Sequence, residues 1–100
     1  MVHPRHALDP AFQTPLRLSL MAALGADELD FTALKQLLET SDSQLSKAIF
    51  SLEESHYVEV RKGYLGTRPR TWVTATAAGR RAFARHLAAL AEISRGYPSD

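Results

Sequence analysis

A mainly α fold with one small β-hairpin (α+β) is predicted by three features of this sequence. The hydrophobic period changes twice between Leu34 and Thr76. It is helical in Leu34, Leu37 and Leu38, breaks at Glu39-Thr40-Ser41, and is helical again through Leu45, Ile49 and Leu52. It then becomes strand-like in Tyr57-Val58-Glu59-Val60. A Gly- and Arg-rich loop from Lys62 to Arg70 separates that strand from a second one, Thr71-Trp72-Val73-Thr74.

Residues 1–8 read as a flexible N-terminus, because Pro4 and Pro10 limit regular structure there. Thr14 caps the first helix and Pro15 occupies its first position, where a missing N–H costs nothing. Leu16, Leu20 and Leu24 form its apolar stripe, and Gly25 ends it. Leu29-Asp30-Phe31 is a stub of strand, and Asp30 or Thr32 caps the second helix, which ends near Leu38. Ser41 opens the third helix, with Gln44 three residues on as a reciprocal capping box, and this helix runs to about Ser55. In the wing, Gly63 and Gly66 supply the positive φ of a loop tip, and Pro69 stiffens the returning arm. Thr76 caps a last helix of roughly 17 residues, about 25 Å long, with Phe83, Leu87 and Leu90 as its stripe. Helix, short strand, helix, tight turn, helix, strand, wing, strand and helix make a winged helix-turn-helix. One domain spans residues 9–94, and residues 95–100 read as a frayed tail.

Composition narrows the function. A chain of 100 residues has room for one modest core. It has no cysteine, so thiolate chemistry, disulfides and Cys-ligated zinc are excluded. No apolar run reaches the roughly 20 residues of a membrane span, and the N-terminus lacks a secretory h-region, so a cytoplasmic location is expected. His3, His6, His56 and His86 form no nucleophile–base–acid set, so an enzyme is not expected. No metal site or cofactor is implied: His3 and His6 could share a metal only in an ordered terminus. Asp27, Glu28 and Asp30 read as a solvated connection.

Charge is unevenly placed. Residues 1–59 carry a net of −5 and residues 60–100 a net of +6, although the whole chain is only +1. From Val60 to Ala91 no acidic residue occurs, while Arg61, Lys62, Arg68, Arg70, Arg80, Arg81 and Arg85 do. Such a stretch fits phosphate contact better than a solvated surface, which usually mixes signs. With Leu45, Ile49 and Leu52 turned inward, the third helix presents Ser43, Gln44, Ser46 and Lys47 as candidates for base contact. Arg61, Lys62, Thr67, Arg68 and Arg70 are the candidates for backbone or minor-groove contact from the wing. Residues 42–55 carry a net of −2, so this helix can select more readily than attract. Trp72 and Tyr57 are expected in the core. Phe50 falls on the outward side, where it meets a thymine methyl, the wing or a partner.

Two stretches resemble a known family. Leu52-Glu53-Glu54-Ser55-His56-Tyr57-Val58-Glu59-Val60 is similar to the pattern L-E-x-x-G-Y-V-x-V that ends a recognition helix. The segment from Arg68-Pro69-Arg70-Thr71 to Thr76-Ala77-Ala78-Gly79-Arg80 resembles the pattern R-P-R-T-x-x-x-L-T-x-x-G-R. Both belong to compact winged-helix transcriptional regulators related to the MarR and ArsR groups, and the likeness covers Leu8 to Ile93. The resemblance implies sequence-specific binding of a double-stranded, pseudo-palindromic DNA operator by a homodimer, as a bacterial repressor. First and last helices would build the dimer, through Leu16, Leu20, Phe83, Leu87 and Leu90. A small apolar effector between those helices is compatible with it. Two positions depart from the pattern: His56 replaces the usual Gly and must adopt αL or another turn, and Phe50 and Ser51 replace basic side chains. The rival reading is a winged helix used for protein–protein contact with little DNA affinity.

Overall fold

A computed structural model describes residues 2–96. Its elements are α1 (Pro15–Leu24), β1 (Glu28–Asp30), α2 (Phe31–Leu38), α3 (Asp42–Glu54), β2 (Val58–Leu65), β3 (Arg68–Ala75) and α4 (Ala77–Ser94). Each helix starts where a side-chain oxygen meets an orphan N–H. Thr14 Oγ1 accepts from Arg17 N (3.2 Å), Asp30 Oδ1 from Ala33 N (2.7 Å), Ser41 Oγ from Gln44 N (3.1 Å) and Thr76 Oγ1 from Gly79 N (2.9 Å). The capping box at Ser41 is half formed. The Gln44 carbonyl oxygen accepts from the Thr40 hydroxyl at 3.0 Å, so Gln44 reaches across the interhelical turn.

The strands form one antiparallel sheet in the order β1-β3-β2. Expected as a nine-residue loop, the wing is instead a ribbon: β2 and β3 stay paired from Val58↔Ala75 out to Leu65↔Arg68, and only Gly66 and Thr67 form the turn. Gly66 has φ +65° and Thr67 an ordinary φ, the combination that a II′ hairpin turn requires. Gly63 lies within β2, where a Cβ would come within 3.1 Å of the Trp72 ring. It makes room rather than a turn. β1 pairs only with Trp72 to Thr74, so the outer four rungs of the ribbon stand alone, about 13 Å of two-stranded wing.

The core is built from Leu20, Leu24, Leu34, Leu45, Leu52, Val58 and Val73, all fully buried, with Phe12 and Met21 beside them. Strand alternation puts Val73 and Ala75 inward and Trp72 and Thr74 on the opposite face. Trp72 is therefore half-buried on the outer sheet face and outside the core, contrary to expectation.

The N-terminal segment carries more structure than its two prolines suggested. Pro4–Ala7 and Pro10–Phe12 are short 3-10 turns, and the first lies along α4 with Pro4 buried. Proline sits at the first position of each turn, where its ring sets φ for a helix start. Asp9 pins this segment: its N–H donates to Nδ1 of buried His86 (3.0 Å), and its carboxylate accepts from the Tyr57 hydroxyl (2.6 Å). The Phe12 ring stacks on Tyr57 and meets Phe83 edge-on, each at 5.3 Å. Pro4–Ala7, expected to lack regular structure, thus packs along α4. At the other end, Arg95 and Gly96 come after α4, and the rest of the expected tail lies outside the described residues.

α4 is rotated from its expected orientation. Gly79, Ala82, His86 and Ala89 face inward, while Leu87 and Leu90 are 44% and 37% exposed. The cause is at its first turn, where a Cβ on Gly79 would fall 2.1 Å from the Tyr57 carbonyl oxygen. Only glycine lets the helix close on the Tyr57 backbone, just before β2, and small residues then continue along the same side. His56, at the end of α3, has φ +62°, and Glu39, in the turn between α2 and α3, has φ +52°. His56 accordingly takes the left-handed conformation usually left to glycine.

These two backbone positions should respond to substitution in opposite ways. Gly79→Ala should destabilise the fold by about 1–3 kcal/mol, since the obstructing atom is backbone and cannot turn aside. His56→Gly should stabilise it by about 0.5–1 kcal/mol through relief of αL strain. Urea midpoints of the two variants should move in opposite directions. A third effect depends on pH. The hydrogen bond to Asp9, aided by burial, raises the Tyr57 phenol above its ordinary 10.0. Its stabilisation is complete below the unfolded value and is lost as pH rises through the folded one. The urea midpoint of wild type should exceed that of Tyr57→Phe at pH 8, and the gap should shrink as pH rises above the ordinary phenol value of 10.0.

Candidate nucleic-acid interface

α2 and α3 meet across the Glu39–Ser41 turn, and the αL conformation at Glu39 sets their angle. An ion pair between Lys35 and Asp42 (2.9 Å) ties α2 to the first turn of α3. Ser43, Gln44, Ser46 and Lys47 are all exposed on the outer surface of α3. It is divided between two grooves. Gln44 and Lys47 border a groove of about 740 Å³ against α1 and the end of α2, while Ser46 borders one of about 400 Å³ between α3 and the wing. Phe50, 61% exposed, lines that second groove with Lys62 and Thr71. For a bidentate bond to adenine, Gln44 must use the oxygen now held by Thr40 as well as its amide. A carbonyl oxygen has two lone pairs, so both contacts can coexist.

The wing cations separate into two groups. Opposed residues Asp30, Trp72 and Arg61 share the outer face of the sheet. There Arg61 forms a double hydrogen bond with Glu28 (Nη2–Oε1 2.8 Å, Nε–Oε2 3.2 Å) and lies 4.1 Å above the Trp72 ring. That pairing lowers the Glu28 carboxyl below its usual range and raises the Arg61 guanidinium. Arg70 donates to Asp30 Oδ2 at 2.6 Å, both side chains being about two-thirds or more buried. Asp30 thereby serves twice, capping α2 through Oδ1 and holding Arg70 through Oδ2. Lys62, Thr67 and Arg68 lie beyond β1 and are exposed; among the described residues Lys62 and Arg68 make no ion pair.

The sequence missed this neutralisation because the three acids read as a solvated loop. The signal was the two-residue spacing of Glu28 and Asp30, which places both on one face of a strand. Arg17 was missed as well: from α1 it donates to Ser51 Oγ on α3 (2.9 Å) and to the Pro10 carbonyl (3.4 Å).

The expected dimer residues do not share one surface. Leu20 is fully enclosed in the protomer's own core and is unavailable to a partner. Leu16 borders the α1–α3 groove, and Phe83 is half-buried against Phe12. Only Leu87 and Leu90 face outward, with Ala84 and Ala91 beside them on α4. Among the described residues no helix is long and apolar enough to cross a membrane, and no group of three His, Asp or Glu is placed to hold a metal ion.

A helix-turn-helix with a basic ribbon behind it defines a winged-helix DNA-binding domain, and the chain belongs to that family, which matches residues 16–94. It is 29% identical over 85 residues to an uncharacterized protein of Methanocaldococcus jannaschii, covering 84% of this chain and 92% of that one. It is similar to a transcriptional regulator homologue from Pyrococcus horikoshii OT3, at 25% identity and a TM-score of 0.85, over 98% of this chain and 99% of the other. A protein of Porphyromonas gingivalis W83 assigned to the MarR family shares the fold, with a TM-score of 0.68 at 16% identity over 90% and 85% of the two chains. A probable transcriptional regulator from Pseudomonas aeruginosa shares the fold as well, with a TM-score of 0.71 at 20% identity over 93% of this chain and 75% of that one.

Proposed function

We propose that this chain is a sequence-specific regulator that binds double-stranded DNA as a homodimer and represses by occupying its operator. The observation that carries the reading is the exposed polar face of α3 beside a ribbon whose outer cations, Lys62 and Arg68, have no protein partner among the described residues. α3 is about 20 Å long and suits the major groove, where Ser43, Gln44, Ser46 and Lys47 meet base edges. Lys62, Thr67 and Arg68 meet the backbone or the adjacent minor groove. Arg61 and Arg70 contribute mainly by holding the ribbon at its angle, since Glu28 and Asp30 already cancel their charge.

Selection of duplexes from a random pool tests the reading directly and yields an operator duplex for binding measurements. On the selected duplex, Lys62→Ala with Arg68→Ala should weaken all sequences alike and reduce the salt slope by about two phosphate contacts. Arg70→Ala should change that slope little. Gln44→Ala should instead alter the preferred base at one position, with a cost of about 1–3 kcal/mol there. Equal binding by the double variant and wild type would remove the wing from the interface.

The partner surface proposed for the dimer is the outward face of α4, where Ala84 and Ala91 let a second helix approach Leu87 and Leu90. Sedimentation should show a dimer for wild type and a monomer for Leu87→Glu. A wild-type monomer at high micromolar concentration would eliminate this interface.

A further inference from the structure

The wing ends in apolar side chains. Tyr64 is 71% and Leu65 59% exposed at the last two rungs before the turn. Consecutive strand residues point to opposite faces, so each face of the tip carries one: Leu65 beside Arg68, and Tyr64 beside Pro69. The turn beyond them is only Gly66 and Thr67, which leaves the tip thin. No acidic residue lies on this outer ribbon, and its two available cations, Lys62 and Arg68, sit within three residues of the apolar pair. An edge strand protected only by charge would not place a tyrosine and a leucine at its most exposed end.

Resting on the DNA-binding reading above, we propose that Tyr64 and Leu65 form a wedge that enters the minor groove and bends the duplex at the step beneath the wing. The minor groove is about 6 Å wide, and its sugar edges and partly unstacked base faces are the apolar surface a duplex can offer. Lys62 and Arg68 then lie against the two phosphate strands that border the groove, which directs the tip to DNA rather than to an apolar protein surface. Bending cost varies with sequence and is least at pyrimidine–purine steps. The wedge therefore gives the protein a preference at a flanking position that no side chain reads by hydrogen bonding.

The test uses the full chain and the duplex selected by wild type, end-labelled so that energy transfer reports the bend. Two forms of the duplex differ only beneath the wing, one with a TA step and one with an AA step. Wild type should bend the TA duplex and bind it about tenfold more tightly than the AA duplex. Tyr64→Ser with Leu65→Ser should keep the α3-specified sequence preference, lose the bend, and bind the two forms within about twofold of each other. Both residues are exposed, so an unchanged urea midpoint will show that the variant is folded. Leu65→Met should bend as wild type does. Binding without a bend by wild type, or an equal bend by the double serine variant, overturns the wedge and leaves the DNA-binding reading standing. No binding of any duplex by wild type overturns both. Loss of dimerisation in the serine variant would assign the tip to a second copy of the chain and also overturn the wedge.

Discussion

The close approach of Gly79 to the Tyr57 backbone is the contact on which the rest of the structure depends. Four elements meet there. Tyr57 N–H donates to the Leu52 carbonyl and so terminates α3, while its own carbonyl accepts from Thr76 N–H at the start of α4. The Thr76 hydroxyl donates to the His56 carbonyl from the other side. The Tyr57 ring stacks on Phe12, and its hydroxyl holds Asp9, which holds His86. One residue thus sets where α3 ends, where the wing begins, how α4 is rotated and where the N-terminal segment lies. Because these contacts share partners, their contributions cannot be independent, and a defect at the junction reaches the wing and the helix face together.

Electrostatics then decides which cations can act at a distance. Ion pairs at the surface are screened by solvent, so Arg61–Glu28 adds little to stability. Its effect is to cancel charge at the wing base and, with Trp72 beneath the guanidinium, to tie β2 to β1 across β3. Arg70–Asp30 is more enclosed and also supports the α2 cap. The positive potential consequently moves outward along the ribbon to Lys62 and Arg68, next to the apolar tip. α3, with its net negative charge, and a wing whose cations beyond its base make no ion pair among the described residues thus differ in electrostatic character.

Local chemistry made much of the fold readable. Thr14-Pro15, Ser41 and Thr76 cap helices because a short side-chain oxygen satisfies an N–H within the next turn, a relation needing no distant residue. The unusual turn at His56 was legible only through the family resemblance, whose pattern has Gly at that place. The candidate site was readable only in part. The exposed face of α3 came from its helical period, but the pairing of Arg61 and Arg70 joins residues more than thirty apart in the chain, across strands whose register no local pattern specifies. The wing was read as a loop because Gly63 and Pro69 both signal turns locally. In the ribbon the glycine accommodates Trp72 and the proline opposes Tyr64.

By itself the sequence determined the order of elements, the helix caps, the inward stripes of α1 and α3 and the basic character of the second half, all consequences of periodicity and short-range bonding. The rotation of α4, the length of the wing and the neutralisation of its base were decided only by tertiary structure. Each depends on which surfaces pack against one another, and the rotation of α4 depends above all on a glycine that lets the helix close on the Tyr57 backbone.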